Sequence, residues 1–169
     1  MKSACFPPVA RADARVLLLG SLPGATSLSR GEYYAKPQNA FWRIMGCLFN
    51  FAVDLPYLQR LDALAQNHIA LWDVCATATR PGSLDTSITD AVANDFTAFF
   101  QSHRAIQWVF FNGTTAEKLY TRHVATRLPT SIGPLKYHRL PSTSPANAGM
   151  TFSKKFDRWS VIRQYAQCL

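Results

Sequence analysis

The sequence predicts an α/β protein, a three-layer α/β/α sandwich around a short, mainly parallel four-stranded central sheet. Two observations carry this. Short apolar runs alternate along the chain with segments whose apolar residues recur at helical spacing, and such alternation implies parallel crossover units with helices on both faces of a sheet. The runs themselves, such as VLLLG, are apolar without a break, which is the pattern of a strand covered on both sides.

Residues 16–20 (VLLLG) form the first buried strand, closed by glycine. Residues 21–40 follow as a long loop rich in Gly, Pro, Ser and Tyr. Residues 41–51 and 57–67 read as helices, and 69–75 (IALWDVC) as the second strand. A loop over 76–87 (ATATRPGSLDTS) leads into a helix near 89–103, for which Thr89 and Asp90 offer start signals. Residues 105–111 (AIQWVFF) are the third strand, broken by Asn112 and Gly113, and TTAEKLYTRHV continues as a helix. Residues 136–140 make a short fourth strand and 141–149 (PSTSPANAG) a loop. Residues 153–168 form the closing helix, with Trp159, Ile162 and Tyr165 on its apolar face. Ligands of such folds bind beyond the carboxyl ends of the strands. The loops at 21–40, 76–87, 112–115 and 141–149 leave those ends, and three of them are longer than connection requires. The site is expected there.

Composition narrows the class. A chain of 169 residues with 48% hydrophobic content suits one folded domain over 1–169 and argues against disorder. No apolar run reaches membrane-spanning length, and the N-terminus has no long apolar stretch of the secretory kind. A cytoplasmic monomer is expected. Cys5, Cys47, Cys75 and Cys168 are widely spaced with no CxxC pair, so they read as reduced thiols and not as metal or iron–sulfur ligands. The net charge of +8 favours a polyanionic partner. The basic residues are scattered, so any DNA-binding face must be assembled by folding.

The first loop reads GSLPGATSLSRGEYYAKPQNAFWRIM. Gly20 and Gly24 admit a ligand close to the backbone, Pro23 stiffens the turn after Leu22, and Tyr33 and Tyr34 sit together ahead of the amide of Asn39. Rigid turns, a stacking ring and a fixed amide suit a planar heterocycle. There is no GK[ST], hence no phosphate-binding P-loop, and no G-x-S-x-G elbow. Ser21 as a hydrolase nucleophile would lack a histidine near it in sequence.

This loop resembles the first motif of the uracil-DNA glycosylase superfamily, and most closely its hypoxanthine-DNA (deoxyinosine) glycosylase branch, where G-S-x-P-G and Y-Y-A-x-P-x-N-x-F-W occur together. LWDVCATATRPGSLDTSI (71–88) resembles that branch's central motif, and RLPSTSPANAG (139–149) the terminal loop that enters DNA. The resemblance implies a monofunctional DNA glycosylase acting on damaged DNA, with hypoxanthine preferred over uracil or xanthine. Its alternatives are a mismatch-type uracil glycosylase and a non-catalytic nucleic-acid binding module of the same fold. It implies that Asn39 positions the attacking water or contacts the base. Ser21 stands where related enzymes place Asp, Glu or Asn in the water-activating turn. Tyr34 lies near the aromatic that stacks on the everted base. Gly20, Leu22, Pro23, Gly24 and Asn112 fall at base-binding positions. Ser142, Thr143, Ser144 and Pro145 match the loop that pinches the phosphate backbone, and Lys36, Arg80, Ser83 and Asn147 join them on the expected DNA face. Leu140 stands where the uracil-specific branch has histidine, which argues against that branch.

The chemistry expected of these residues is modest in number of parts. Extruding a base costs a few kcal/mol, least for a mismatched one, and stacking on Tyr34 returns roughly 1–3 kcal/mol. Glu32 is the first loop's one carboxylate, so paired-carboxylate glycosidase chemistry is not expected. A deaminated base leaves readily because its charge spreads over a ring carbonyl. Donors from Asn39 or backbone N–H groups would stabilise that charge, and a held water would complete hydrolysis with no metal or cofactor. Lys36 reads as a phosphate contact and not a Schiff-base amine, so no strand cleavage is expected. Simpler roles compete at several positions. Asn39 suits a helix cap, Tyr33 packing, Phe41 and Trp42 the core, and Asp85 a cap or loop tie. Arg139, Lys154 and Lys155 are further candidate phosphate contacts, and no role is assigned to His68, His103 or His123.

Overall fold

Four parallel strands organise the chain, and the computed structural model describes residues 2–82 and 84–167. In order, the elements are β1 (Lys2–Ala4), β2 (Val16–Gly20), α1 (Ala25–Arg30), α2 (Phe41–Phe49), α3 (Tyr57–Gln66), β3 (Ile69–Asp73), β4 (Cys75–Thr79), β5 (Thr89–Ala93), α4 (Phe96–Ser102), β6 (Trp108–Asn112), α5 (Thr114–His123), β7 (Lys136–Leu140), α6 (Phe152–Trp159) and α7 (Val161–Ala166). Short 3₁₀ turns lie at Asp85–Ser87, Ala125–Arg127 and Thr130–Ile132.

The central sheet runs β3-β2-β6-β7, with every pairing parallel. All of β2 and β3 is buried, and the alternation of side chains across a strand divides the core in two. Val16, Leu18, Ile69, Leu71 and Phe110 meet Phe41, Ile44, Leu48, Leu64, Trp159 and Ile162 on one face. Leu17, Leu19, Ala70, Val109 and Phe111 meet Phe96, Phe99, Phe100 and Tyr120 on the other. Helices α2, α3, α6 and α7 therefore form one outer layer, and α4 and α5 the other. Each large apolar side chain buried this way contributes roughly 1.5–3 kcal/mol. The strand ends that carry the site are thus rigidly held.

The sequence reading needs correction in four places. The 21–40 loop contains the short helix α1, which ends at Gly31 in the left-handed conformation (φ +67°). The 76–87 segment is not all loop: β4 begins at Cys75 and pairs antiparallel with β1 and β5 in a second, three-stranded sheet. The helix expected near 89–103 is half strand. Residues 89–93 form β5, Asp90 has a φ of +50°, and α4 starts only after Asp95, whose side chain accepts from the Ala98 N–H. The apolar i, i+3, i+4 set Phe96, Phe99 and Phe100 marks that later start. The closing helix is two helices joined at Ser160, whose hydroxyl donates to the Asp157 carbonyl at 2.7 Å, a back-bond that weakens helix continuity. Cys168 lies outside the described residues.

Candidate active site

Strands β2, β3, β6 and β7 end at Gly20, Asp73, Asn112 and Leu140. The loops leaving those ends enclose a cavity of about 450 Å³, a size suited to one heterocycle with its sugar. Its lining comes from 20–27, Tyr33, Tyr34, Lys36, Asn39, Asp73, Arg80, Leu84, Asp85, Asn112 and 142–146. All three motif loops meet there.

One wall is built from amides and hydroxyls. Asn39 Oδ1 accepts the Phe41 N–H at 3.0 Å; the helix cap itself is Ala40, which has no side-chain cap bond, so Asn39 ties down the first helical N–H from one residue ahead of the cap. Its Nδ2 donors have no partner among the described residues and remain for a ligand. The Ala40 N–H donates to the Thr143 carbonyl at 3.0 Å, which brings the start of α2 against the 141–145 turn. Thr143 is 1% exposed and pairs twice with Asn112. Its N–H donates to Oδ1, and Nδ2 donates to its hydroxyl, each at 2.9 Å. Gly113 has a φ of +93°, and a Cβ there would stand 3.0 Å from that of Ser142, so this turn needs glycine. From behind, Trp159 Nε1 donates to the Pro141 carbonyl, Lys155 Nζ to the Ser144 carbonyl, and Asn147 Nδ2 to the Ser142 carbonyl.

Tyr34 stands beside this wall. Its ring stacks on Phe41 at 4.0 Å and 20°. Its φ of +54° is costly for an aromatic residue, and strain of this kind collects at functional sites. Neighbours hold it there: Trp42 Nε1 donates to the Tyr33 carbonyl, the Tyr33 N–H to the Tyr57 hydroxyl, and the Ala35 N–H to Ser27 Oγ.

The opposite wall carries charge. Ser21, 4% exposed, donates its hydroxyl proton to Asp85 Oδ2 at 2.7 Å. Arg80 Nη1 donates to Asp85 Oδ1 at 3.0 Å and to the Leu22 carbonyl at 3.3 Å, while Nη2 donates to the Pro23 carbonyl. Asp73 lies at the floor, 3% exposed, and its Oδ2 is buried with no hydrogen-bond partner. Burial, and then the nearby Asp85 charge, push the Asp73 carboxyl up to about 7, against the opposing pull of Arg80. Burial likewise pushes the Tyr34 hydroxyl up and the Cys75 thiol up to about 12, which keeps that thiol protonated.

Most sequence-predicted residues thus converge, with three qualifications of role. Arg80 does not face outward as a phosphate contact: its side chain is 5% exposed and ties the 21–24 turn to Asp85. Leu22 packs with Cys75 and Ala78, so its contribution is its backbone. Asn147 braces the terminal loop and is absent from the lining. Lys36 and Lys154 are exposed, Lys155 is buried, and Arg139 is ion-paired with Glu117 at 3.0 Å. Ser83 lies outside the described residues. Sequence reasoning missed Asp73 and gave Asp85 only a structural part. An aspartate closing a buried parallel strand, IALWD, was the available signal, because that is where α/β sites form. Among the described residues, no group of three or more His, Cys, Asp or Glu is placed to hold a metal ion.

The model of the uracil DNA glycosylase superfamily matches residues 7–166. Hypoxanthine DNA glycosylase of Methanosarcina barkeri (strain Fusaro / DSM 804) is 40% identical over 114 residues, covering 67% of this chain and 72% of that one. The protein of the same description from Methanosarcina acetivorans is 31% identical over 159 residues, 94% of this chain and 96% of that one. A solution NMR structure from M. acetivorans, provisionally described as a uracil DNA glycosylase, superposes with a TM-score of 0.83 at 31% identity over 99% of both chains.

Proposed function

This chain belongs to the uracil DNA glycosylase superfamily, and on that premise we propose that it is a monofunctional DNA glycosylase that releases deaminated bases, hypoxanthine foremost, in base excision repair. The observation that carries the reading is the Ala40–Thr143 contact. It sets the free amide donors of Asn39 beside the turn that meets the DNA backbone, at the mouth of a pocket floored by strand ends. The 31% and 40% relatives that act on hypoxanthine support the choice of base. The enzyme works as a single domain and a monomer in the cytoplasm, without metal or cofactor.

An everted base stacks against Tyr34, whose backing by Phe41 makes a rigid platform. Lys36, Ser142, Ser144 and Pro145 at the rim engage the phosphate backbone, and the net charge of +8 draws DNA to that face. Asn39 holds the water against the sugar. Ser21 donates its own proton to Asp85, so its oxygen is free to accept from that water, and the proton lost on attack passes through Ser21 to the carboxylate. Lys36, exposed at the pocket rim, acts as a phosphate contact and not as a Schiff-base amine, and Lys155 Nζ is held on the Ser144 carbonyl.

The test is an alkali-cleavage assay under single turnover on duplexes carrying inosine, uracil, xanthine or thymine opposite each normal base. Fastest cleavage at inosine is expected, with no cleavage before alkali and no adduct on borohydride trapping. Uracil released far ahead of hypoxanthine would replace the preferred base, and binding without release from any duplex would reduce the protein to a binding module.

A further inference from the structure

Asp73 is buried at the pocket floor in a way the steps above do not use. It closes β3, in register with Gly20 of β2. Its carboxyl sits over the bare Cα of that glycine, so a Cβ at position 20 would stand 2.4 Å from Oδ1. The other oxygen, Oδ2, is buried and unpartnered, and the buried hydroxyl of Tyr34, which has the Asn112 side chain within its reach, would lie 3.0 Å from the same Cβ. The Asp73 carboxyl, with one oxygen orphaned, and the Tyr34 hydroxyl therefore crowd the same glycine among residues that line the pocket. Orphaned buried polar atoms are rare, and each calls for an explanation.

The groups that face Asp73 do not neutralise it. Asp85 and Arg80 come from the 80–85 segment, Tyr33 and Tyr34 from the first loop, Tyr57 from α3, Cys75 from β4 and Cys5 from the N-terminal segment. Arg80 is the one cation of this set, and it is committed to Asp85 and two carbonyls. An ionised carboxylate in such a place costs far more than a neutral acid, which agrees with the upward shift to about 7. Two carboxyls in one site with unlike surroundings divide into an acid and a base.

Resting on the glycosylase reading, we propose that Asp73 is a catalytic residue, the acid that donates a proton to the departing base. As the bond from C1′ to the base nitrogen breaks, its electron pair goes to the base, and the Asp73 proton goes to an acceptor atom of the heterocycle. The base leaves neutral, and Asp73 remains as carboxylate. Water adds to C1′, its proton passes through Ser21 to Asp85, and exchange with solvent restores both carboxyls.

The experiment is a pH profile of single-turnover hypoxanthine release, from pH 5 to 9, for wild type and Asp73→Asn, with Asp73→Glu as the variant that keeps an acid. Wild-type release is expected to fall as pH rises through about 7. Asp73→Asn should be slower by about 100-fold or more at pH 6, the scale of a lost general acid, and should lose that falling limb. Asp73→Glu should recover part of the rate with the limb restored. A wild-type rate flat across pH 7 overturns the proposal with no variant needed. So does an Asn variant that keeps the wild-type profile, or one that changes only which base is released. A wild type that releases no base from any duplex takes the glycosylase reading down as well, which separates the two failures.

Discussion

The two walls of the pocket are made from different materials. On one side Asn39, Asn112 and Thr143 are joined by neutral amide and hydroxyl hydrogen bonds. On the other, Arg80, Asp85 and Ser21 are joined by charge, with the unpartnered Asp73 beside them. The first wall has no group that titrates near neutrality, so its geometry holds across pH. The second combines a guanidinium with two carboxyls whose surroundings differ. On the function proposed above, the amide wall would hold DNA and water in place and the charged wall would move protons.

Breaking the charged wall at its centre should give the largest effect. Arg80→Ala removes donors from Asp85 and from the Leu22 and Pro23 carbonyls. Asp85 is half exposed, which limits the penalty, and a loss of about 3 kcal/mol is expected. At about 2–4 °C per kcal/mol for a chain of this size, the melting temperature should fall by about 9 °C. Arg80→Lys should recover less than half, because an ammonium cannot reproduce the fork. Weakened DNA binding with melting unchanged would instead make Arg80 an outward phosphate contact, and the two walls would differ less than they do here.

The amide wall is sharpened by separating the two functions of Asn39. Asn39→Ala should slow base release by about 100-fold, the scale of a lost preorganised donor, while losing about 1 kcal/mol of stability for the bond to the Phe41 N–H. Asn39→Asp keeps an oxygen for the Phe41 N–H but has no N–H to offer the site. Its melting temperature should match wild type while release stays slow. Full release by the Asp variant would mean that the oxygen bonded to the Phe41 N–H is all that residue 39 contributes.

The same division explains what could be read from sequence. The parallel strands were legible because an unbroken apolar run such as Val16 to Leu19 has one stable placement, between two layers. The amide wall was legible because its parts lie in loops with distinctive spacing, from Gly20 through Asn39 and again at Pro141 to Pro145. The charged wall was not. Arg80 looks like any surface arginine in a Pro-Gly loop, and only its three inward hydrogen bonds give it another task. Asp85 is 64 residues from Ser21, a pairing that exists only because β4 and β5 fold into a second sheet. That sheet was itself hidden: β4 reads CATAT, short and small-residue, and its pairing with β5 is interrupted by register shifts. Contacts made by chain crossing leave no periodicity to find.

Within the amide wall, the Asn112–Thr143 pair offers the finest test. Thr143→Val keeps the volume and the N–H that donates to Asn112 Oδ1, and deletes the hydroxyl that accepts from Nδ2. The freed Nδ2 sits at the pocket edge, where water can reach part of it, since Asn112 is half-buried. The cost should therefore be near the low end for a lost hydrogen bond, about 1 kcal/mol, or a fall of about 3 °C in melting temperature. Base release at saturating enzyme should drop by less than tenfold, with the larger change in affinity for the duplex, because the pair shapes the turn and touches no reacting atom. Unlike Asp73→Asn, this variant should show the wild-type pH dependence. A changed profile would mean that the two walls are electrically coupled, and that the amides do more than hold the DNA still.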